Sequence, residues 1–287
     1  MHILIYNEIY VNHLKEVFSS YILRILNWAG EKMKQSIKVK EKRIGSGKPI
    51  ICVPVIKCTQ SDIVSEIKSL CKKEIDMIEW RIDFFESIKD YGKIKGLLNE
   101  VEGILKGTLF LVTYRSTYQG GNGNLSENEY RNLLLYLAEN KKIDFLDVEC
   151  LQWNEVKKEI NQIQAYGKRV IASHHNFQKT PSEEEMLLYL EEMNQSGADI
   201  LKLAVMPQNN EDVLSLLKVT DIAQRRFAPK LIVTMSMGKY GMVSRILGEI
   251  YGSVITFGLN ETASAPGQIP YDKLNKMLEM IHEFSKE

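Results

Sequence analysis

The chain has 287 residues, and its 37 basic and 37 acidic side chains give a formal net charge of zero at pH 7. This length is sufficient for a large buried core. The charge balance gives no reason to expect nucleic acid or an anionic membrane as a partner. Four scattered cysteines, with no Cys-x-x-Cys pair, argue against a disulfide framework and predict a cytoplasmic protein with reduced thiols.

The first 32 residues differ in character from the rest of the chain. They lack the basic region and the small-residue cleavage site of a signal peptide, although part of them could form an amphipathic helix. Gly30 to Lys32 could be encoded by a purine-rich stretch that resembles a bacterial ribosome-binding site just before Met33. We therefore expect residues 1–32 to lie upstream of the natural start, with a folded extension as the alternative, and mass spectrometry of the native N-terminus distinguishes the two.

The rest of the chain alternates short apolar runs with longer segments of helical period. Residues 34–48 are predicted to form a short β-hairpin that covers the bottom of the fold. From there on, the pattern predicts strands over 50–57, 75–81, 108–115, 143–149, 169–175, 199–205, 230–236 and 253–258. Helices are predicted between the strands, for example over 61–73, 126–140, 181–197 and 210–226, with start signals at Ser61, Ser126 and Ser182.

Eight strands that alternate with helices over residues 50–287 predict an α/β fold of the (β/α)₈ TIM-barrel type. Each connection is long enough for the crossover helix that parallel strands require. An open doubly wound sheet is the alternative, although the first strand is not followed by Gly-x-Gly-x-x-Gly or a P-loop. Since the composition does not change along the barrel, we expect a single domain over residues 33–287.

Most of the predicted strands begin apolar and end polar. The polar residues at their ends are Glu79, Arg81, Arg115, Asp147, Glu149, His174, His175, Lys202 and Ser236. In a barrel of this type, the carboxyl ends of all strands lie on one rim, where catalytic side chains are placed. The pattern therefore predicts a functional site at this rim.

Lys202 is the most informative of these residues, because it interrupts an otherwise apolar run. Strand alternation places it on the same face as Ile200 and Ala204, which would point into the barrel. One interpretation is a lysine paired with Asp147 or Glu149. The other is an amine that loses its proton through desolvation or nearby cations and attacks a carbonyl to form a Schiff base.

The neighbouring strand ends suggest what such an amine would act on. His175 ends the preceding strand and could move protons about an imine, whereas alternation points the adjacent His174 the other way. Arg115 ends the third strand, Arg245 follows the seventh, and both suit a carboxylate ligand. The small, polar segment 263–268 fits a loop that closes over a ligand, or equally a surface turn.

A divalent metal site at the same rim is the main chemical alternative. Its ligands would be Glu79, Asp83, Asp147, Glu149 and His175. Their spacing matches no specific metal motif, and the Lys202 ammonium would repel the cation.

From about Met33 to its end, the chain resembles the type I 3-dehydroquinate dehydratases, the Schiff-base enzymes of the shikimate pathway. The matching segments, in the family's order, are "EWRIDFF", "TYRS…GG", "DVE", "SHHNFQKTP", "ADILKLAVMP", "MSMGKYGMVSRILG", "GSVITFG" and "ASAPGQ". The resemblance implies dehydration of 3-dehydroquinate to 3-dehydroshikimate without a metal or an organic cofactor, in a homodimer.

The resemblance also implies roles for individual residues. Lys202 stands where the family forms its imine, and His175 matches the general acid/base. The substrate-binding residues would be Glu79, Arg81 and Arg115 for the ring hydroxyls, Arg245 for the carboxylate, and Ser264 and Gln268 for the carboxylate and C1 hydroxyl region.

The sequence departs from the family pattern near the histidine. Gln119 occupies a position where the family commonly has glutamate, and Asn176 follows the histidine where many members have aspartate. Because an amide carries no charge, we expect a lower pKa for His175 than in glutamate-bearing members, unless Glu149 substitutes. Pro54 stands where some members have a polar side chain, so no binding role is assigned to it.

Two other functions are compatible with these residues. Another Schiff-base lyase such as an aldolase would usually need a phosphate cradle after strands seven and eight, where Arg245 and "ASAPGQ" suit a carboxylate better. A barrel that binds a shikimate-like ligand without turnover is favoured only by Gln119.

Overall fold

The computed structural model describes residues 36–152 and 156–285, so the predicted extension over residues 1–32 lies outside the described residues. Its strands are β1 (Ile37–Val39), β2 (Lys42–Ile44), β3 (Ile50–Val55), β4 (Met77–Arg81), β5 (Leu109–Thr113), β6 (Phe145–Glu149), β7 (Arg169–Asn176), β8 (Ile200–Val205), β9 (Leu231–Ser236), β10 (Ile255–Leu259) and β11 (Ile269–Pro270). All eight predicted barrel strands are present, as β3 to β10.

These eight strands form a closed parallel ring. From β3 to β9 each strand pairs with the next one in the chain, and β10 pairs with β3. The ring closes where Ile232 of β9 forms a parallel bridge with Ser253, and Val254 N–H donates to the Ile232 carbonyl at 2.9 Å. This consecutive order confirms the (β/α)₈ barrel, because a doubly wound sheet would reverse its strand order.

The described helices cover the outside of this ring. They are α1 (Gln60–Cys71), α2 (Tyr91–Leu105), α3 (Glu127–Ala138), α4 (Val156–Ala165), α5 (Glu183–Gln195), α6 (Asn210–Arg226), α7 (Gly238–Ile246), α8 (Gly248–Tyr251) and α9 (Tyr271–Phe284), with short 3₁₀ helices at Ile82–Phe84 and Thr117–Gln119. No helix of the described ranges is both long and apolar enough to cross a membrane.

Two of the three predicted helix starts are confirmed. Ser126 and Ser182 each cap a helix, and both form a capping box with the glutamate three residues later. The prediction of Ser61 as the helix start is wrong, because α1 begins at Gln60 and is capped two residues before Ser61. Its cap is Thr59, whose hydroxyl accepts a hydrogen bond from the Asp62 N–H at 3.2 Å.

The core has two layers that follow from strand alternation. In β8, Ile200 and Ala204 belong to the apolar cluster inside the barrel. Leu201, Leu203 and Val205 belong to the larger cluster between the strands and the helices. The predicted inward face of β8 is therefore confirmed, and it carries Lys202 into the barrel.

The predicted β-hairpin covers the amino end of the barrel. β1 and β2 pair antiparallel. Lys40 Nζ donates to the Thr108 carbonyl at 2.9 Å and to Asp144 Oδ2 at 2.7 Å, and Lys42 Nζ lies 2.6 Å from Asp76 Oδ1. These acceptors precede β4, β5 and β6, so the hairpin closes the bottom and leaves the opposite rim open.

Candidate active site

All eight predicted site residues line one cavity at the open rim. They are Glu79, Arg81, Arg115, His175, Lys202, Arg245, Ser264 and Gln268. They come from β4, β7, β8, α7 and the loops after β5 and β10. Parallel strands bring these distant segments together because their carboxyl ends meet on the same rim.

Lys202 is buried, with 3% of its surface exposed. Its Nζ lies 3.2 Å from Asp147 Oδ2, 3.9 Å from Glu79 Oε1 and 4.3 Å from the centre of the Phe257 ring. The predicted ion pair with Asp147 is thus confirmed, and the same side chain faces the cavity. The two interpretations of Lys202 do not exclude each other.

The predicted metal alternative is not supported by the described residues, among which no group of three or more His, Cys, Asp or Glu side chains is arranged to hold a metal ion. The carboxylates of the rim are paired with cations instead.

Arg115 organises the floor of the site. Its guanidinium donates to Asp147 Oδ1 at 2.8 Å, to Glu149 Oε1 at 2.9 Å and to Ser173 Oγ at 3.0 Å. Burial alone would lower the pKa of Arg115, but the two carboxylates outweigh it and raise the pKa above its usual value. Because these contacts occupy the guanidinium, the predicted contact of Arg115 with a ring hydroxyl stays a prediction.

His175 is held by Gln119. Gln119 Oε1 lies 2.9 Å from the backbone N–H of His175 and 3.1 Å from its Nδ1, and it also accepts from Arg115 Nη1 at 3.4 Å. The backbone N–H and the guanidinium can only donate, so the Gln119 atom that they contact must be the amide oxygen. Because an oxygen can only accept here, Nδ1 of His175 must carry the proton. This arrangement directs the lone pair of Nε2 away from Gln119.

Burial and the nearby cations keep His175 neutral. Burial lowers the pKa of His175 well below its usual value, and the nearby Arg115 and Lys202 cations lower it further. Glu149 does not substitute for the missing glutamate. Its Oε1 accepts from Arg115 and from the Ser116 N–H, and within the described residues its buried Oε2 accepts no hydrogen bond from His175 or any other group.

His174 points away from the cavity, as alternation predicts. Its ring lies 4.8 Å from that of Tyr189 on α5. Burial, assisted by the charge of Arg115, lowers the pKa of His174 to about 4. Only one of the two adjacent histidines therefore faces the candidate active site.

Arg81 is fixed by a two-pronged ion pair. Its Nε and Nη2 each donate to an Asp83 carboxylate oxygen at 2.8 Å. Asp83 Oδ2 also accepts from the Asn122 N–H at 3.0 Å. One buried carboxylate thus connects the β4 side of the cavity to the loop that carries Gln119.

Arg245 differs from the other arginines of the site. Its nearest acceptors are the Pro266 carbonyl at 3.1 Å, the Phe257 carbonyl at 3.4 Å and Met235 Sδ at 3.7 Å. Within the described ranges, no carboxylate pairs with it and its buried Nε has no hydrogen-bond partner. Burial lowers the pKa of Arg245 to about 10, and a bound anion would stabilise this buried charge.

The loop after β10 forms the remaining wall. Gln268 Oε1 accepts from the Ser264 N–H at 2.8 Å, and Gln268 Nε2 donates to Ser264 Oγ at 3.1 Å. Gly267 has a φ of 77°, and a side chain there would collide with the Gly238 carbonyl. The predicted loop therefore packs on the start of α7 and directs two polar side chains at the cavity.

Sequence reasoning missed two contributors to this site. Phe257 places its ring against Lys202 Nζ, and Ser173 Oγ donates to Asp147 Oδ1 at 2.6 Å. Alternation within β10 and β7 could have placed both side chains inside the barrel. Their partners lie on other strands, and no local pattern identifies them.

Known proteins are similar to this chain in sequence. The model of the family described as Type I 3-dehydroquinase matches residues 51–285 of the chain. A 3-dehydroquinate dehydratase from Clostridioides difficile (strain 630) is 40% identical over 252 residues, covering 88% of this chain and 99% of that protein.

Solved structures give the same result. A 3-dehydroquinate dehydratase from Geobacillus kaustophilus HTA426 matches with a TM-score of 0.84 and 34% identity, covering 87% of this chain and 97% of that chain. A type I 3-dehydroquinate dehydratase from Clostridium difficile, with covalent modified comenic acid, matches with a TM-score of 0.84 and 40% identity, covering 88% and 99%. The chain therefore belongs to the type I 3-dehydroquinase family, and it is a hydro-lyase of the 3-dehydroquinate dehydratase class.

Proposed function

We propose that the chain dehydrates 3-dehydroquinate to 3-dehydroshikimate through an imine formed on Lys202, with His175 as the general acid/base. The observation that carries this proposal is the shared cavity of Lys202 and His175, a buried amine and a neutral imidazole. An aldolase and a barrel without turnover are less consistent with membership of a hydro-lyase family.

The reaction begins at Nζ of Lys202. The ammonium of Lys202 first gives one proton to Nε2 of His175, and the free amine adds to the C3 carbonyl. The carbinolamine hydroxyl then leaves as water with that proton, which gives the protonated imine. This cation attracts the electrons of the adjacent C2–H bond, so His175 Nε2 can remove the C2 proton. The electron pair returns from the enamine to expel the C1 hydroxyl, which leaves as water with a proton from His175. Hydrolysis of the imine, again with proton transfer by His175, frees the product and restores Lys202.

Substrate binding uses the rest of the rim. Arg245 binds the substrate carboxylate, because it is a buried guanidinium without a carboxylate partner in the described part of the chain. Ser264 and Gln268 contact the carboxylate and C1 hydroxyl region. Glu79 and Arg81 bind ring hydroxyls, since both polar residues line the cavity.

Arg115 joins these residues in the proposal as a ring-hydroxyl contact. Its four donated hydrogen bonds support a contribution that is mainly electrostatic.

Trapping of the imine tests this proposal. The protein is incubated with 3-dehydroquinate, the conjugated enone is followed in the ultraviolet, and borohydride is then added before peptide mapping. We expect enone formation and a reduced adduct on Lys202, and Lys202→Met should abolish both. An adduct without enone would indicate a binding protein, and the absence of any adduct would rule out the imine mechanism.

We further propose one catalytic domain over residues 33–287 that acts in the cytoplasm as a homodimer. Apolar side chains exposed on α7 and α8 support the dimer, namely Tyr240, Met242, Val243 and Ile250. Light scattering of the purified protein should give twice the chain mass, and a monomeric mass would contradict the dimer.

A further inference from the structure

One carboxylate contacts the reacting nitrogen without belonging to the cavity wall. Asp147 is completely buried, and each of its two oxygens contacts different partners. Oδ1 accepts from Arg115 at 2.8 Å and from Ser173 at 2.6 Å, whereas Oδ2 lies 3.2 Å from Lys202 Nζ. Asp147 is buried and is not among the residues that line the cavity, so it is not exposed to a substrate in the cavity.

The other nearby carboxylates are less suited to this position. Glu79 lies farther from Nζ, at 3.9 Å, and the same oxygen accepts a hydrogen bond from Thr113 at 2.7 Å. Glu79 also lines the cavity, where the substrate competes for it. Glu149 directs its Oε1 to Arg115 and to a backbone N–H.

Asp147 is also held in its charged form. Burial alone would raise the pKa of Asp147, but the adjacent Arg115 and Lys202 cations outweigh it and lower the pKa below its usual value. A carboxylate fixed by a guanidinium and a hydroxyl does not need to reorient when the charge of its third partner changes.

The chemistry of imine formation gives this fixed charge a purpose. An ammonium and a ketone together yield a protonated imine and one water, so the nitrogen carries one positive charge before and after the reaction. The free amine and the carbinolamine between these two states are neutral. A fixed anion at Nζ therefore stabilises both the resting ammonium and the cationic intermediate, relative to the neutral amine and the neutral imine.

We propose that Asp147 is the counter-ion of the cationic Lys202 imine, a catalytic residue that keeps this intermediate protonated and thus able to accept electrons. The inference rests on the proposed function, because it deepens the role of the same lysine. Arg115 and Ser173 then act as positioning residues that hold Asp147 in place.

The test compares Asp147→Asn with Asp83→Asn. Both replace a buried aspartate that pairs with an arginine at the same rim, but only Asp147 contacts Nζ. Two reactions are followed at pH 8 by mass spectrometry of the Lys202 peptide. Cyanate without substrate labels the neutral amine, and cyanoborohydride with 3-dehydroquinate reduces only the protonated imine.

We expect the two reactions of Asp147→Asn to change in opposite directions. Loss of an opposite charge at this distance changes the ratio of charged to neutral nitrogen by about 10- to 1000-fold. Cyanate labelling should therefore become about tenfold faster or more, and imine trapping about tenfold slower or more, with Asp83→Asn leaving the cyanate rate unchanged. Circular dichroism checks that each variant is folded. Asp147→Ser is a second uncharged variant, in which Arg115 still forms its ion pair with Glu149.

Other results would overturn the inference. A cyanate rate equal to that of the wild type, or a slowing of both reactions as expected for simple disruption, would show that Asp147 is not the counter-ion. Failure of the proposed function is distinguishable, because the wild type would then yield no trapped imine while the cyanate rates still decide whether Asp147 stabilises the cation.

Discussion

Replacing Gln119 by glutamate should raise the pKa of His175 and move the acidic limb of the activity profile to higher pH. Gln119 Oε1 already lies 3.1 Å from His175 Nδ1. The substitution keeps the shape of the side chain and adds one negative charge beside the ring. The protonated imidazole is stabilised by this charge, whereas the neutral imidazole is not.

The size of the shift follows from the distance. Two opposite charges about 4 Å apart interact by about 4 kcal/mol at an effective dielectric constant of 20. This corresponds to about 3 pKa units as an upper limit, since one unit is about 1.4 kcal/mol. Arg115 Nη1, at 3.4 Å from the same oxygen, would pair with the new carboxylate and compensate part of its charge. We therefore expect a rise of about 1–2 units.

The assay is the pH dependence of kcat/KM, together with nuclear magnetic resonance titration of the labelled histidine ring. His175 must be neutral to remove a proton, so kcat/KM falls as the pH drops through its pKa. In Gln119→Glu this fall should begin at higher pH.

The control is Tyr118→Glu, which adds the same charge to the neighbouring, highly exposed position. Solvent screening should leave its profile close to that of the wild type. A pKa of His175 that does not move in Gln119→Glu, or that moves equally in Tyr118→Glu, would refute this account of how the histidine is tuned.

Three further predictions concern other parts of the structure. Arg245→Met should raise KM about 10- to 100-fold, because it loses a charge-assisted hydrogen bond to the substrate. Arg225→Met, at an exposed position, should leave KM unchanged. Equal KM values for Arg245→Met and the wild type would contradict the carboxylate assignment. His174 has a pKa of about 4, so its contribution to stability is present above about pH 6.5 and is lost as the pH falls towards 4. The free energy of unfolding, measured with urea, should therefore fall less between pH 7 and pH 5 in His174→Phe than in the wild type, by at most about 2 kcal/mol. The same decrease in both proteins would contradict this role of His174. Gly267→Ala should lower kcat/KM, because the methyl group collides with the Gly238 carbonyl; unchanged steady-state kinetics would show that the loop tolerates the shift.

Much of the fold could be predicted from the sequence because it depends on local periodicity. Alternating strands and helices identified the barrel, and the period of two in β8 placed Lys202 inside it. Ser61 shows where local signals compete, since Thr59 offers the same kind of hydroxyl two residues earlier. Only the path of the backbone decides which of the two hydroxyls accepts a hydrogen bond from the free N–H groups of the first helical turn.

The sequence by itself determined the class of fold, the rim that carries the polar side chains, and the residues that match the family. The tertiary structure decided which of those residues hold one another. The sequence left Asp147 and Glu149 as alternative partners of Lys202, and the structure selects Asp147 across the intervening strand β7. Gln119 reaches His175 from a separate loop. These pairings depend on strand register and on side-chain directions that packing selects across more than fifty residues, so no local pattern contains them.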